Sequence, residues 1–180
     1  MRFFSALTKK NLTVIAVALM VSACGGDVEV SRQYCPTEGV LADTERLVFE
    51  RDGQLAWAAN ITGTAMDCAW NPETRKIETS LSVRGLVEAQ GAMPTKLSLP
   101  AFMIILNGQD DVMTRKDFMI SVSGNKNAEQ AVFVQEIGRQ AITLSEDDRI
   151  EDFSILVGFR LSANQLKKNR LDYKKRLNLL

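Results

Sequence analysis

The longest regular alternation in the chain runs from Lys76 to Arg84, where Ile77, Thr79, Leu81 and Val83 interleave with Glu78, Ser80, Ser82 and Arg84. A period of two sends one set to a core and the other to water, which predicts a half-buried strand. At Gly85-Leu86-Val87 the phase slips by one residue, as expected for a bulge or bend at glycine. Phe153, Ile155, Val157, Phe159 and Leu161 alternate with Ser154, Gly158 and Arg160, a second clean strand with Leu156 as its one apolar exception. Leu97 to Leu106 is apolar on both phases at its centre, through Phe102, Met103, Ile104 and Ile105. That pattern predicts a central strand covered on both faces or, alternatively, half of a small exposed patch. Val112 to Val122 alternates again, and Ala131 to Leu144 carries two apolar phases joined at Gly138.

The punctuation between these runs is equally regular. Leu47-Val48-Phe49 and Leu55 to Ile61 are separated by Arg51-Asp52-Gly53-Gln54, and Asp-Gly between apolar runs predicts a two-residue hairpin. Asn107-Gly108-Gln109-Asp110-Asp111 predicts another hairpin. Gly63 to Asn71, rich in Gly, Asp and Asn and followed by Pro72, reads as a loop, and Ser145 to Asp152 as an acidic turn. After the last strand, Ser162-Ala163-Asn164-Gln165 is a capping-box pattern that starts a helix. Ala163, Leu166, Tyr173, Leu177 and Leu180 then fall near one helical face, and basic residues dominate the rest. Seven to eight short strands without a helical period between them predict an all-β fold. We expect an antiparallel immunoglobulin-like β-sandwich over residues 34–161, followed by a short C-terminal α-helix over 162–180, with a barrel as the alternative. The Cys…Trp…Cys spacing of antibody domains is not met, so this likeness is one of architecture.

The N-terminal stretch obeys a different rule. A basic end (Arg2, Lys9, Lys10) precedes a short apolar run from Leu12 to Met20, and then Val21-Ser22-Ala23-Cys24. The run is too short to span a bilayer comfortably, which favours a cleaved signal helix. These residues resemble the lipobox of bacterial lipoprotein signal peptides. The resemblance implies cleavage after residue 23, lipidation of Cys24, and a small polar tether over 24–33. An ordinary secretory signal cut nearby is the alternative, and it too exports the chain. In lipoproteins of this kind an aspartate after the acylated cysteine favours the inner membrane. Gly25 stands there, which implies the periplasmic face of the outer membrane. The lipobox, the Tyr34-Cys35-Pro36 start, the Val157-Gly158-Phe159-Arg160-Leu161 strand, Gln165-Leu166 and Asn169-Arg170 are together similar to a group of uncharacterised lipoproteins from alphaproteobacteria. No activity, cofactor or site residue comes with that likeness.

Composition narrows the chemistry. Cleavage after residue 23 leaves 180 − 23 = 157 residues, one domain's worth, with 19 − 22 = −3 formal charge. No global field suits nucleic acid. The chain contains no histidine, which excludes Ser-His-Asp and Cys-His nucleophile systems and histidine-ligated zinc. With Cys24 lipidated, Cys35 and Cys68 remain, and an exported chain with two cysteines usually pairs them. Such a bridge closes a loop of about 34 residues and is worth about 3–4 kcal/mol on the loop-entropy model; two buried thiols are the alternative. The acidic run Glu146-Asp147-Asp148 with Glu151-Asp152 lacks calcium-loop spacing and is read as a solvated turn, with no metal expected. A carboxylate pair such as Asp117 and Glu136 could serve a hydrolase. Trp57 reads as core, whereas Trp70 reads as partly exposed or packed on the disulfide, and either indole could stack on a sugar. The helix concentrates Lys167, Lys168, Arg170, Lys174, Lys175 and Arg176 against Asp172 alone. It is a candidate contact surface for anionic lipid or an acidic envelope protein, or else a cap held on the sandwich by Leu166, Tyr173 and Leu177. The expected function is a lipid-anchored, non-enzymatic binding or structural module without cofactors; the alternative is a carboxylate-based hydrolase or a small-ligand carrier.

Overall fold

A computed structural model of the protein describes residues 35–176, without the side chain of Arg176. The expected signal over 1–23, Cys24, the tether over 24–33, and Leu177 and Leu180 of the helix lie outside the described residues. The elements are β1 (Thr37–Val40), β2 (Arg46–Arg51), β3 (Gln54–Asn71), β4 (Lys76–Ala89), β5 (Lys96–Leu106), β6 (Val112–Ser123), β7 (Gln130–Thr143), a short 3-10 turn (Ile150–Asp152), β8 (Ser154–Phe159) and α1 (Ala163–Arg176).

Two four-stranded sheets form, in the orders β1-β8-β5-β6 and β2-β3-β4-β7. Every pairing is antiparallel except that of β1 with β8. Both sheets turn one face onto a common core. Ile77, Leu81, Val83 and Val87 of β4 meet there with Leu99, Ala101, Met103 and Ile105 of β5 and Ile155, Val157 and Phe159 of β8. The protein is therefore mostly β, sandwich-like, with one short C-terminal helix, and its ladders stay as two sheets instead of closing into a barrel.

The Asp-Gly hairpin joins β2 to β3 with both central residues at positive φ, Asp52 at 51° and Gly53 at 75°, the requirement of a twist-matched two-residue turn. The β5–β6 hairpin is organised by Asn107, whose Oδ1 accepts from the amides of Gln109 (3.0 Å) and Asp111 (2.9 Å). β5 is covered on both faces: Phe102 and Ile104, on the side away from the core, are also buried. The Arg115 guanidinium lies 4.6 Å from the Phe102 ring centroid, and Thr44 packs beside Phe102 onto the bare face of Gly158. In β7 the two apolar phases do join at Gly138 (φ 75°): Phe133 and Ile137 are buried before it, Ile142 and Leu144 after it.

Two expectations are corrected. Residues 63–71 are not a loop but the second half of the eighteen-residue strand β3. Thr64, Met66, Cys68 and Trp70 turn inward to varying degrees, and Ala65, Asp67 and Ala69 are exposed. Gly63 sits where the register with β4 shifts, and Asp67 faces water, so residues that read as punctuation occupy a bulge and an outer face. The turn comes one step later, where Asn71 Oδ1 accepts from the amides of Glu73 (3.0 Å) and Thr74 (3.1 Å). The second correction is at Gly85. β4 keeps one phase throughout, with Ile77, Thr79, Leu81, Val83, Gly85 and Val87 all buried. Glycine holds the inner position because a Cβ there would collide with the Asn60 carbonyl oxygen and the Phe133 ring. The irregularity lies on the neighbouring strand, between Ile61 and Gly63.

Candidate functional site

The basic helix and the strand beside it form the first candidate surface. β2 is an edge strand, so its outward carbonyls need partners or water. Glu45 O accepts from Ile61 N within the sheet, and strand alternation turns Arg46 and Val48 outward. α1 supplies the partners. Gln165 Nε2 donates to Val48 O (3.0 Å), and Asn169 Nδ2 donates to Arg46 O (2.8 Å) and Asp43 O (2.8 Å). The match is geometric: residues four apart on a helix are separated by about 6 Å along its axis, and residues two apart on a strand by about 6.8 Å. Two side-chain amides on one helical face therefore reach two successive outward carbonyls.

The helix start is fixed by the expected reciprocal cap, in which Ser162 N donates to Gln165 Oε1 (3.0 Å) and Gln165 N donates to Ser162 Oγ (3.3 Å). Gln165 thus closes the cap with its oxygen and clamps the edge strand with its nitrogen. Two ion pairs flank the clamp, Lys168 with Glu50 at 2.6 Å and Arg170 with Asp43 at 3.2 Å. These docking contacts are polar. Of the expected apolar stripe, Leu166 is half-buried and Tyr173 is 48 % exposed, and Leu177 and Leu180 lie outside the described residues. Of the six candidate basic residues, Lys168 and Arg170 are engaged inside the molecule, and the Arg176 side chain lies outside the described residues. Lys167, Lys174 and Lys175 are exposed and form no ion pair among the described residues. Lys175 and Asn169 border a 290 Å³ recess whose other walls are Glu45, Arg46 and Asp172.

Cys35 and Cys68 stand at disulfide distance, with Cα atoms 5.8 Å apart. Two residues beyond Cys68, Trp70 ends the inward row of β3 and lines an open cleft of 560 Å³. Across it lies the acidic turn. The Arg75 guanidinium donates to the carbonyl oxygens of Leu144, Ser145, Glu146 and Asp148, so a side-chain charge holds the turn's main chain. Asp148 Oδ2 accepts from Ser145 N at 2.7 Å, and its hydrogen bonds to Ser145 hold its carboxyl below the usual range. The hydrogen-bonded pair of Arg149 with Glu151 lowers the Glu151 carboxyl and raises the arginine.

The remaining sequence candidates lie elsewhere. Asp117 is engaged by Arg115 (3.1 Å) and Arg160 (3.9 Å), and no hydrogen bond joins it to Glu136 among the described residues. Trp57 is half-buried and stacks on Phe49, centroids 5.3 Å apart at 13°. Among the described residues no group of three or more metal-ligating side chains assembles, and no helix is long and apolar enough to cross a membrane. The roles of Gln165 and Asn169 were missed by sequence reasoning; their four-residue spacing on a capped helix was the available signal. No protein-family model, curated protein or solved structure matches the chain.

Proposed function

We propose that the protein is a lipid-anchored, non-enzymatic module of the cell envelope, held through Cys24 at the periplasmic face of the outer membrane, with α1 as its contact surface for an anionic lipid headgroup layer or an acidic envelope protein. The anchoring half rests on the lipobox and on Gly25. The observation that carries the contact half is the way α1 is docked: polar side chains clamp it to β2, and Lys167, Lys174 and Lys175 are left exposed, with no ion pair among the described residues. At architectural level we read the two sheets over one core as immunoglobulin-like. The support is the pair of four-stranded sheets; the order β2-β3-β4-β7 is the molecule's own and departs from the ABED/CFG arrangement.

A hydrolase reading is less well supported by the chemistry of the Trp70 cleft. Glycoside cleavage by two carboxylates needs one of them protonated, with its pKa raised. Asp148 and Glu151 are instead both held below the ordinary range, which suits fixed hydrogen-bond acceptors.

The test is the triple variant Lys167→Gln, Lys174→Gln and Lys175→Gln, which leaves the docking pairs of Lys168 and Arg170 in place. At about 1 kcal/mol per basic residue near an anionic surface, binding of the lipid-free domain to phosphatidylglycerol vesicles at low salt should weaken by roughly 100-fold. The melting temperature should stay within about 2 °C. Unchanged vesicle binding together with unchanged recovery of crosslinked envelope partners would remove α1 as the contact surface.

A further inference from the structure

The cleft at the Trp70 end of the molecule has the makings of a binding site that the helix surface does not account for. Its apolar part is small. Trp70 continues the inward row of Cys68 on β3, and Leu144 and Ile150 line the cleft with it. The indole is half-buried, and the Cys35–Cys68 link fixes the strand two residues before it. A platform so anchored loses little conformational freedom when something is laid on it.

The polar part of the cleft is charged but balanced. Arg75 and Arg149 supply two guanidinium groups; Asp148 and Glu151 supply two carboxylates. None of the four is loose: Arg75 is held on the turn carbonyls, Asp148 on the Ser145 amide, and Arg149 and Glu151 on each other. The balance decides between ligand classes. A phosphate or other anion drawn to the arginines would meet two ionised carboxylates in the same cleft. An aliphatic ligand would have to strip water from four charged groups, at a cost its own burial does not offset. A neutral ring with one apolar face and equatorial hydroxyls answers both parts, since its C–H face lies on the indole and its hydroxyls each donate and accept. Guanidinium N–H groups and carboxylate oxygens beyond those spent on these internal bonds can donate to and accept from such hydroxyls.

We propose that this cleft binds a neutral pyranose glycan, stacked on Trp70 and hydrogen-bonded by Arg75, Asp148, Arg149 and Glu151. At 560 Å³ and open on one side, it falls within the range of small-ligand clefts. It takes a short stretch of a chain whose ends continue into solvent. This site is separate from α1 and stands whether or not the helix is a contact surface.

The test uses the full-length protein in detergent with N-acetylchitotetraose and cellotetraose as neutral probes and a pectate tetrasaccharide as the anionic control. Binding is read by isothermal titration and by saturation-transfer NMR. We expect at least one neutral probe to bind with millimolar or tighter affinity. Trp70→Ala should weaken that binding by at least about tenfold, and Trp70→Phe, which keeps a flat ring, by no more than about threefold. Because Trp70 also packs against the core, the double variant Arg149→Ala with Glu151→Ala provides a second reading on exposed side chains. It should weaken binding by at least about fivefold with an unchanged melting temperature. The proposal is overturned if neither neutral probe binds, if the anionic control binds more tightly than both, or if the Arg149 and Glu151 double variant binds as the wild type does. Loss of binding in Trp57→Phe equal to that in Trp70→Ala would also overturn it, by placing the stacking surface at the other indole.

Discussion

At the scale of single residues, stability turns on positions where the sheets allow no extra atom or leave a polar atom unmatched. Gly85 lies under the Phe133 ring and against the Asn60 carbonyl oxygen. Its replacement must displace either a ring of the core or the backbone of β3. We expect Gly85→Ala to lower stability by about 1–3 kcal/mol, as overpacking does, measured by urea denaturation; a loss below about 0.5 kcal/mol would mean that the ring moves aside freely. The opposite sign is expected at Thr79. Its hydroxyl and the Gln140 side-chain nitrogen are buried without hydrogen-bond partners among the described residues, although the two residues are registered across β4 and β7. A buried unmatched hydroxyl costs about 1–3 kcal/mol. Thr79→Val, similar in shape, should therefore raise the denaturation midpoint. A lowered midpoint would show that the hydroxyl does find a partner, with Gln140, opposite it on β7, as the candidate.

At the scale of elements, α1 guards the edge of β2 more than it contributes to the core. Of three hydrogen bonds from Gln165 and Asn169, two satisfy β2 carbonyls, at Val48 and Arg46, that would otherwise template a foreign strand, and the third reaches Asp43 in the turn before it. At about 0.5–1.5 kcal/mol each, they are a large share of what holds so exposed a helix. The double variant Gln165→Ala and Asn169→Ala should release it. Hydrogen exchange should then rise through residues 165–175 with no change in β4, and self-association should increase as the β2 edge is uncovered. Exchange that stays slow in α1 would show that Leu166 and the two ion pairs suffice. Leu166→Ala serves as the comparison, since a helix held by an apolar stripe would respond more to that change than to the loss of the amides.

At the scale of the whole molecule, the Cys35–Cys68 link joins the chain just before β1 to the far half of β3, across a separation of 33 residues. β1 belongs to one sheet and β3 to the other, so the bond staples the two layers at the end where the described chain begins. Replacing both cysteines with alanine should cost about 2–4 kcal/mol, or roughly 5–15 °C of melting temperature for a domain of this size. A melting temperature unchanged in the double variant, or two freely alkylated thiols in protein taken from an oxidising compartment, would count against the bond.

What the sequence determined by itself is local. Alternation placed the strands at 76–84 and 153–161, Asp52-Gly53 and Asn107 to Asp111 placed two hairpins, the joint of two phases at Gly138 was legible, and the four residues from Ser162 spelled out the cap. Each is decided by neighbours a few positions away, through side-chain period, positive φ or a hydrogen bond three residues along. What only the tertiary structure decided is which strands become neighbours. The parallel seat of β1 beside β8, the division into two sheets, the clamp of α1 on β2 and the cleft beside Trp70 all join residues far apart in the chain, and Gln165 meets Val48 over 117 positions. The same distance explains the misreadings. Gly63 and Asp67 looked like loop because nothing local showed β4 lying alongside them, and Gly85 looked like a slip because the ring that fills its missing side chain comes from residue 133. A period is written in consecutive residues; a contact is chosen by the free energy of the whole fold.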